Sequence, residues 1–567
     1  MAKHYLPVDR SQPFLLPPSV QDFIPEDDLA WFLIDAVAAM DTNVFHAKAR
    51  LGGAGRAGYD PDMLLTLLIY AYCLGLRSSR RIEQLCVRDL GFKVVTGNRV
   101  VDHSTIAQFR ATHQEAIAKL FAEVLLLCAK SGLRQVGVVA VDGTKIAASA
   151  GLGKTRERDA LVGERDRLTA QVEQMLAEAT TTDATQDALF GPDDRGDELP
   201  PELRHKADRL RRLTETVRQI DQARAEHDAD HDAAAGANDD RRVARARRKL
   251  DREIAHRDQR AAQEQQSGRR LPGSRPDFDA RIAAAETELA AAETEPASTN
   301  PTPASTDPTP TGTDLELRPG TDLELRPGTE PTPTGTNTDV AVRPGTDLAL
   351  RPGCSVEHLP AAARRGNPTD PDSSILKTQR GWLQGYNCQV AAVRVQGGRR
   401  LVLAAEATQD INDVQQAIPM MATATTNAKQ AGLGTPTLFA LDAGYWSIEN
   451  LTAPGPDRLI APGKNRTMRA DLRANGHATD DPPPDATPAD KMRHRLRTQT
   501  GADTYAQRSP TVEPVFGNIK HNLGITTFHR RGKTAADSEW KLIHATTNLR
   551  TLHRHLTNPK TSPPPTP

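Results

Sequence analysis

The chain has 567 residues, enough for two or three domains with sizeable cores, but only 4% are aromatic and 41 are Pro, so part of it is expected not to pack. The formal net charge of −1 excludes a uniformly basic nucleic-acid binder, yet from Tyr505 to Asn558 eight Lys/Arg stand against three acids, leaving a local +5 that suits phosphate. Five scattered cysteines without a CxxC pair argue against a disulfide framework or a zinc site and point to a reducing cytoplasm.

Near the start, MAKHYLPVDR lacks the apolar core of a signal peptide, so a soluble cytoplasmic protein is expected. Residues 1–130 read as a helical, DNA-binding N-terminal domain. Asp60-Pro61 opens DMLLTLLIYAYCLGL, a run apolar on every side and suited to the middle of a helical domain rather than to a bilayer. SSRRIEQLC starts on serines fit to cap. Thr105 and Gln108 stand at capping-box spacing ahead of a helical run that continues to Lys130. Asp102-His103 resembles a dyad but reads better as a turn.

VGVVAVDGTK then changes the pattern to a short Val-rich strand ending at Asp142. Residues 155–295 are charged and Ala-rich and predict a helical insertion with coiled-coil character. Residues 296–369 are a low-complexity linker. In it GTDLELRP occurs at 312–319 and 320–327 and returns as GTDLALRP at 345–352. Strands return in LQGYNCQVAAVRV and GRRLVLAAEAT, joined at Gly397-Gly398. A helix over 411–431 follows, then the strands TLFALD and DRLIAPG, and a Pro/Asp-rich loop at about 475–489. A helical end includes PVFGNIKHNLG and ADSEWKLIHATTNLRTLHRH, and 558–567 is expected to be a disordered tail. Strands surrounded by helices predict an α/β core from 131–154 and 370–557.

Two apolar strands each finish on an acid, at Asp142 and at Asp442. A carboxylate held at the rim of a sheet suits Mg²⁺, which prefers hard oxygen ligands. Two such ions, roughly 4 Å apart, serve an in-line displacement at phosphorus by activating the attacking oxygen and stabilising the leaving one. Glu513 opens EPVFGNIK and offers a third acid, with Lys520 two turns further along the same face. Taken singly, each acid also reads as a turn or first-turn residue. Trp446 and Tyr445 suit either base stacking or core packing. His521 and His529 suit either phosphate contact or plain exposure.

The longer strings narrow the choice. VDGTK, LDAGYWSIENL and Y-x-x-R-x-x-x-x-E-P-V-F-G-N-I-K occur in that order, and with them the chain resembles bacterial insertion-sequence transposases of the DDE type. SSRRIEQL and DHSTIAQFR are similar to that family's N-terminal domain, and DPDSSILKTQRGWLQGYNCQ to the segment that re-enters its core. The resemblance covers roughly 20–150, 370–450 and 500–555. It implies an RNase H-like mixed-sheet core interrupted by the insertion, and two Mg²⁺ or Mn²⁺ ions on Asp142, Asp442 and Glu513. It further implies double-stranded DNA with inverted-repeat ends as partner, and a homodimer in the active complex. Tyr505, Arg508 and Lys520 fall on the family's signature, and with Arg530 and Arg531 are expected to contact DNA. Four residues separate Arg508 from Glu513, one more than the usual pattern. Two other functions remain open at this point: a nuclease of the same fold without strand transfer, and a non-catalytic DNA-binding regulator.

Overall fold

A computed structural model describes residues 19–47, 58–134, 137–190, 205–229, 278–294 and 364–557, with single positions between 243 and 258. The GTDLELRP repeats and the C-terminal tail lie outside the described residues. The chain divides into two units, one of residues 1–217 and 365–567, the other of 218–364.

The front helices start where the sequence supplies a cap. Asp28 accepts from Ala30 N ahead of Leu29–Ala38. Asp60 accepts from Asp62 N ahead of Pro61–Cys73, with Pro61 in the first turn, where its missing N–H costs nothing. That helix is buried on every side from Leu64 to Cys73, as its unbroken apolar run requires. The expected cap at Thr105 lies three residues too far along. Asp102 is the cap and accepts from Thr105 N at 2.8 Å, so Thr105 is the donor and the helix begins at His103. The single helix expected from there to Lys130 is two, His103–Thr112 and Gln114–Lys130, parted at His113. His103 pairs with Glu83 at 2.9 Å.

Among the described residues eight strands follow: β1 Val138–Ala147, β2 Arg156–Glu157, β3 Arg365–Gly366, β4 Ser374–Thr378, β5 Gly381–Arg394, β6 Arg400–Thr408, β7 Leu438–Leu441 and β8 Arg458–Ile460. β2 and β3 pair antiparallel where the chain leaves for the insertion and where it returns. The other six form one mixed sheet. β5 pairs antiparallel with β1 on one side, and with β4 and β6 on the other. β7 and β8 extend the sheet parallel beyond β1. This mixed α/β architecture, with a helical front and helical insertion, agrees with the RNase H-like expectation. β1 does not end at Asp142 as its sequence suggests. It continues to Ala147, because β5 pairs with it that far.

One hydrophobic core joins Leu65 and Leu68 of the front, Ile117 and Val124 of the long helix, Val139, Val141 and Val390 of the sheet, and Trp540, Ile543 and Leu549 of the C-terminal helix Lys533–Thr557. That last helix is tied to the sheet by polar side chains as well. Trp540 Nε1 donates to Gln389 O, and Asn548 both accepts from Val402 N and donates to Val402 O. Helices Asn465–Asn475 and Pro488–Arg497 flank the Pro/Asp-rich loop, and Gln499–Ala506 follows. Met492, Leu496 and Tyr505 of this region form a second, smaller core on Ala440 and Leu459. In the insertion, Arg158–Phe190, 205–229 and Phe278–Thr294 are helical. No described helix is long and apolar enough to cross a membrane.

A buried ion pair joins front to back. Arg77 Nη1 lies 2.9 Å from Glu539 Oε1, with both side chains out of water, and it also donates to Thr527 O. Glu539 in turn accepts from His529 N. Removing one partner strands the other charge in a low dielectric. Glu539→Ala is therefore expected to lower unfolding stability by about 3–5 kcal/mol. Urea melts of the two proteins check this, and a loss below about 1 kcal/mol would show the pair to be dispensable.

Candidate active site

The parallel register of β1 and β7 runs from Val138 beside Leu438 to Val141 beside Leu441. The next residue in each case is an aspartate, so Asp142, still within β1, and Asp442, just past the end of β7, stand side by side despite lying 300 positions apart. Each carboxylate also takes a local backbone donor: Gly143 N on Asp142 Oδ1 and Gly444 N on Asp442 Oδ1, both at 2.9 Å. Arg508 closes the arrangement. Its Nη2 lies 2.9 Å from Asp142 Oδ2 and 3.6 Å from Asp442 Oδ2.

Burial dominates the electrostatics. It pushes the Asp142 carboxyl up to about 7; Arg508 pulls it back down, while Asp442 and Asp413 push it up again. Asp442 is raised by burial too, with Arg508 again opposing. Arg508 is nine-tenths buried, which works against its charge, but the aspartates hold its pKa above the ordinary value.

Helix Arg508–Gly517 lies against the sheet on a face made by Arg508, Thr511, Val512 and Val515. That spacing puts Glu513 five residues from Arg508, about 140° round the helix at roughly 100° per residue. Glu513 is exposed, and no contact of the described residues joins it to either aspartate. The structure thus brings Asp142, Asp442 and Arg508 together and leaves Glu513 on the solvent side. Among the described residues, the set of three acid or imidazole groups with ligand atoms mutually within 4.8 Å is the surface trio His46, Asp60 and Asp62. All three are already engaged, Asp60 as a helix cap and Asp62 with His46.

The other expected DNA contacts lie at different depths. Lys520 sits in a π-turn at Asn518–Asn522, half-buried, with Nζ 3.4 Å from Lys145 O; burial lowers its pKa. Tyr505 is buried beneath Arg508, and burial pushes its hydroxyl up to about 12. Arg530 donates to Gln114 Oε1, and Arg531, exposed, to Ser149 O. Tyr445 belongs to the core, fully buried with its hydroxyl on Gln389 Oε1. Trp446 carries the Arg493 guanidinium 5.5 Å above its ring.

Two features carry no motif in the sequence. Asp413, in the stretch DINDVQQ, accepts from Asn387 Nδ2 at 2.9 Å and from Gln389 Nε2 at 2.7 Å, close enough to act on both Asp142 and Asp442. A cavity of about 300 Å³ is lined by Arg399, Arg400, Arg550 and Arg554 together with Pro514 and Asn518, and has no acid in its wall. Arg400 Nε there takes the Pro510 carbonyl, the acceptor left over because Pro514 has no N–H to give four residues on.

Comparison with known proteins finds a transposase domain toward each end of the chain. Residues 18–112 match a family model described as Transposase domain (DUF772), and 482–553 match one described as Transposase DDE domain. No curated protein and no solved structure matches the chain. The first match covers the capped front helices, and the second covers Tyr505, Arg508, Glu513 and Lys520 on the helices that close over the two aspartates. Both matches are to transposase domains, and together they support an insertion-sequence transposase of the DDE type.

Proposed function

We propose that Asp142 and Asp442 are the paired metal-binding carboxylates of this transposase, with Glu513 as their third partner. On this reading the enzyme cleaves the ends of an insertion sequence and joins them to a target. The observation that carries it is the β1–β7 register, which delivers two half-buried carboxylates to one point of the sheet rim. The residues fit a divalent cation. Both aspartates offer hard oxygens, and burial makes their charge costly unless a cation offsets it. Bound there, two Mg²⁺ or Mn²⁺ ions would supply activation of the attacking oxygen and charge stabilisation at the leaving oxygen.

The chain's own residues do the rest. The sheet fixes the carboxylates before substrate arrives, so little reorganisation is left for the reaction step. Arg508 keeps Asp142 and Asp442 from repelling one another. Glu513 enters on its place in the E-P-V-F-G-N-I-K string; to reach the aspartates the helix must turn about its axis, which would carry Arg508 off them once bound cations offset their charge. Lys520 and Arg531 provide cations beside the site for phosphate, and the arginine-walled cavity next to the same helix extends that basic track. Tyr505 and Arg530 serve from below the surface, as supports for that track. Joining two element ends calls for two such sites, hence a homodimer on the DNA.

Three outcomes test this. Asp442→Asn keeps the side chain's size and removes its charge. Cleavage and strand transfer of an end-bearing duplex are expected to fall by roughly a hundredfold or more, several kcal/mol of lost charge stabilisation, while duplex affinity holds or tightens. Near-normal cleavage by this variant would sink the assignment. Glu513→Gln is expected to lose activity to a similar degree, and a fully active Glu513→Gln would remove Glu513 from the centre while leaving the aspartates in place. Lys520→Ala is expected to weaken duplex binding and to shallow its log–log salt slope by about one unit.

A pH dependence follows from Asp142. Its folded pKa is raised to about 7, above the ordinary carboxylate value of 3.8, so the folded chain keeps a proton that the unfolded chain has already released. The ion-free fold therefore loses stability as pH rises from the ordinary value through about 7. A cation must compete with that proton. Mn²⁺ affinity, measured by calorimetry, is expected to be level above pH 7 and to fall by up to about tenfold per pH unit below it. An affinity unchanged between pH 6 and 8 would contradict this.

A further inference from the structure

We infer that Asp413 is a further carboxylate of the metal centre, held in place by the amides of Asn387 and Gln389. The inference rests on the reading of Asp142 and Asp442 given above and extends it.

An aspartate at the start of a helical turn ordinarily earns its position by capping. Asp413 stands at the N-cap of the 3-10 turn Val414–Gln416, yet its side chain makes no cap hydrogen bond. Its carboxylate points elsewhere. Oδ1 accepts from two neutral side-chain amides of β5, at 2.9 and 2.7 Å. Oδ2 has no hydrogen bond among the described residues. Neutral amides orient a carboxylate without cancelling its charge, which a cation placed beside it then can do.

The backbone around the aspartates leaves room for this group. A Cβ on Gly143, the residue after Asp142, would overlap Asp413 Oδ1. A Cβ on Gly444, two residues after Asp442, would stand 3.1 Å from Asp413 Oδ2 and 3.0 Å from Asp442 Oδ1. The two glycines that follow the catalytic acids thus open the space through which Asp413 approaches both. A second acceptor stands at the same place. Asn387 is 1% exposed, its Nδ2 is committed to Asp413, and its Oδ1 has no partner. An orphaned buried oxygen beside an amide-held carboxylate is a donor set suited to a hard cation or to one of its waters.

The neighbouring support is built to match. Gln389 passes the contact on to the buried Tyr445 hydroxyl, and its backbone carbonyl is held by Trp540. Asp413 is therefore positioned by the core of the sheet, although it sits in a connection.

The test is Mn²⁺ binding to the full-length protein by calorimetry, without DNA, for wild type, Asp413→Asn, Asp142→Asn and Asp442→Asn. The amide oxygen of Asp413→Asn still accepts from Asn387 and Gln389, so the fold should persist while the charge is lost. The expected result is at least a tenfold weaker Mn²⁺ affinity with an unchanged ion-free melting temperature. Unchanged Mn²⁺ affinity in Asp413→Asn, alongside weakened binding in Asp142→Asn and Asp442→Asn, would overturn the role of Asp413 alone. Unchanged affinity in all three would overturn the paired-carboxylate reading itself. Should Asp413→Asn fail to fold, Asp413→Glu keeps the charge but carries it one methylene further. A ligand role then predicts at least a fivefold affinity loss, and an affinity equal to wild type would overturn the proposal.

Discussion

The site depends on one pairing, the four-residue parallel ladder between β1 and β7. It brings residues 142 and 442 together across the long insertion. A parallel ladder places equivalent residues of the two strands at the same height, so the residues that follow Val141 and Leu441 emerge together. β7 stops there while β1 continues along β5 to Ala147. The end of the shorter strand opens the notch in which the carboxylates sit, and the longer strand keeps its floor rigid.

That notch puts like charges where water is scarce, which is unfavourable in the absence of a cation. Arg508 supplies one of the offsets, and the price is visible in the Asp142 carboxyl at about 7. Burial outweighs a guanidinium at 2.9 Å because the arginine is shared between two acids and is itself poorly solvated. A site of this kind is stiff and high in electrostatic free energy. Those are the properties that phosphoryl transfer asks of a protein whose covalent chemistry is slight.

The front helices and the C-terminal helix contribute to that stiffness. The buried Arg77–Glu539 pair and the shared core of Leu68, Val124 and Leu549 make the helical front part of the same unit as the sheet. The helical front is therefore continuous with the body that carries the two aspartates. The insertion leaves and returns through the small β2–β3 pair, so its length need not disturb the sheet.

Much of this was legible in local pattern. The apolar strands that carry Asp142 and lead into Asp442, the Asp60-Pro61 helix start and the hairpin at Gly397-Gly398 all follow from spacing and turn chemistry that act within a few residues. So do the basic end and the E-P-V-F-G-N-I-K string that marks the family. Asp413 was not legible, because an acid in a connection has no period and its meaning comes from Asn387 and Gln389 on another strand. The cap at Asp102 and the run of β1 beyond Asp142 escaped for related reasons, one a competition between neighbouring acceptors, the other a partner strand more than 200 residues away. Arg508 and Glu513 show the division most clearly. The five-residue offset can be read directly from the chain, and with it the 140° between their side chains. Which of the two faces the aspartates is set by the apolar face that Thr511, Val512 and Val515 turn toward the sheet, and only packing decides that.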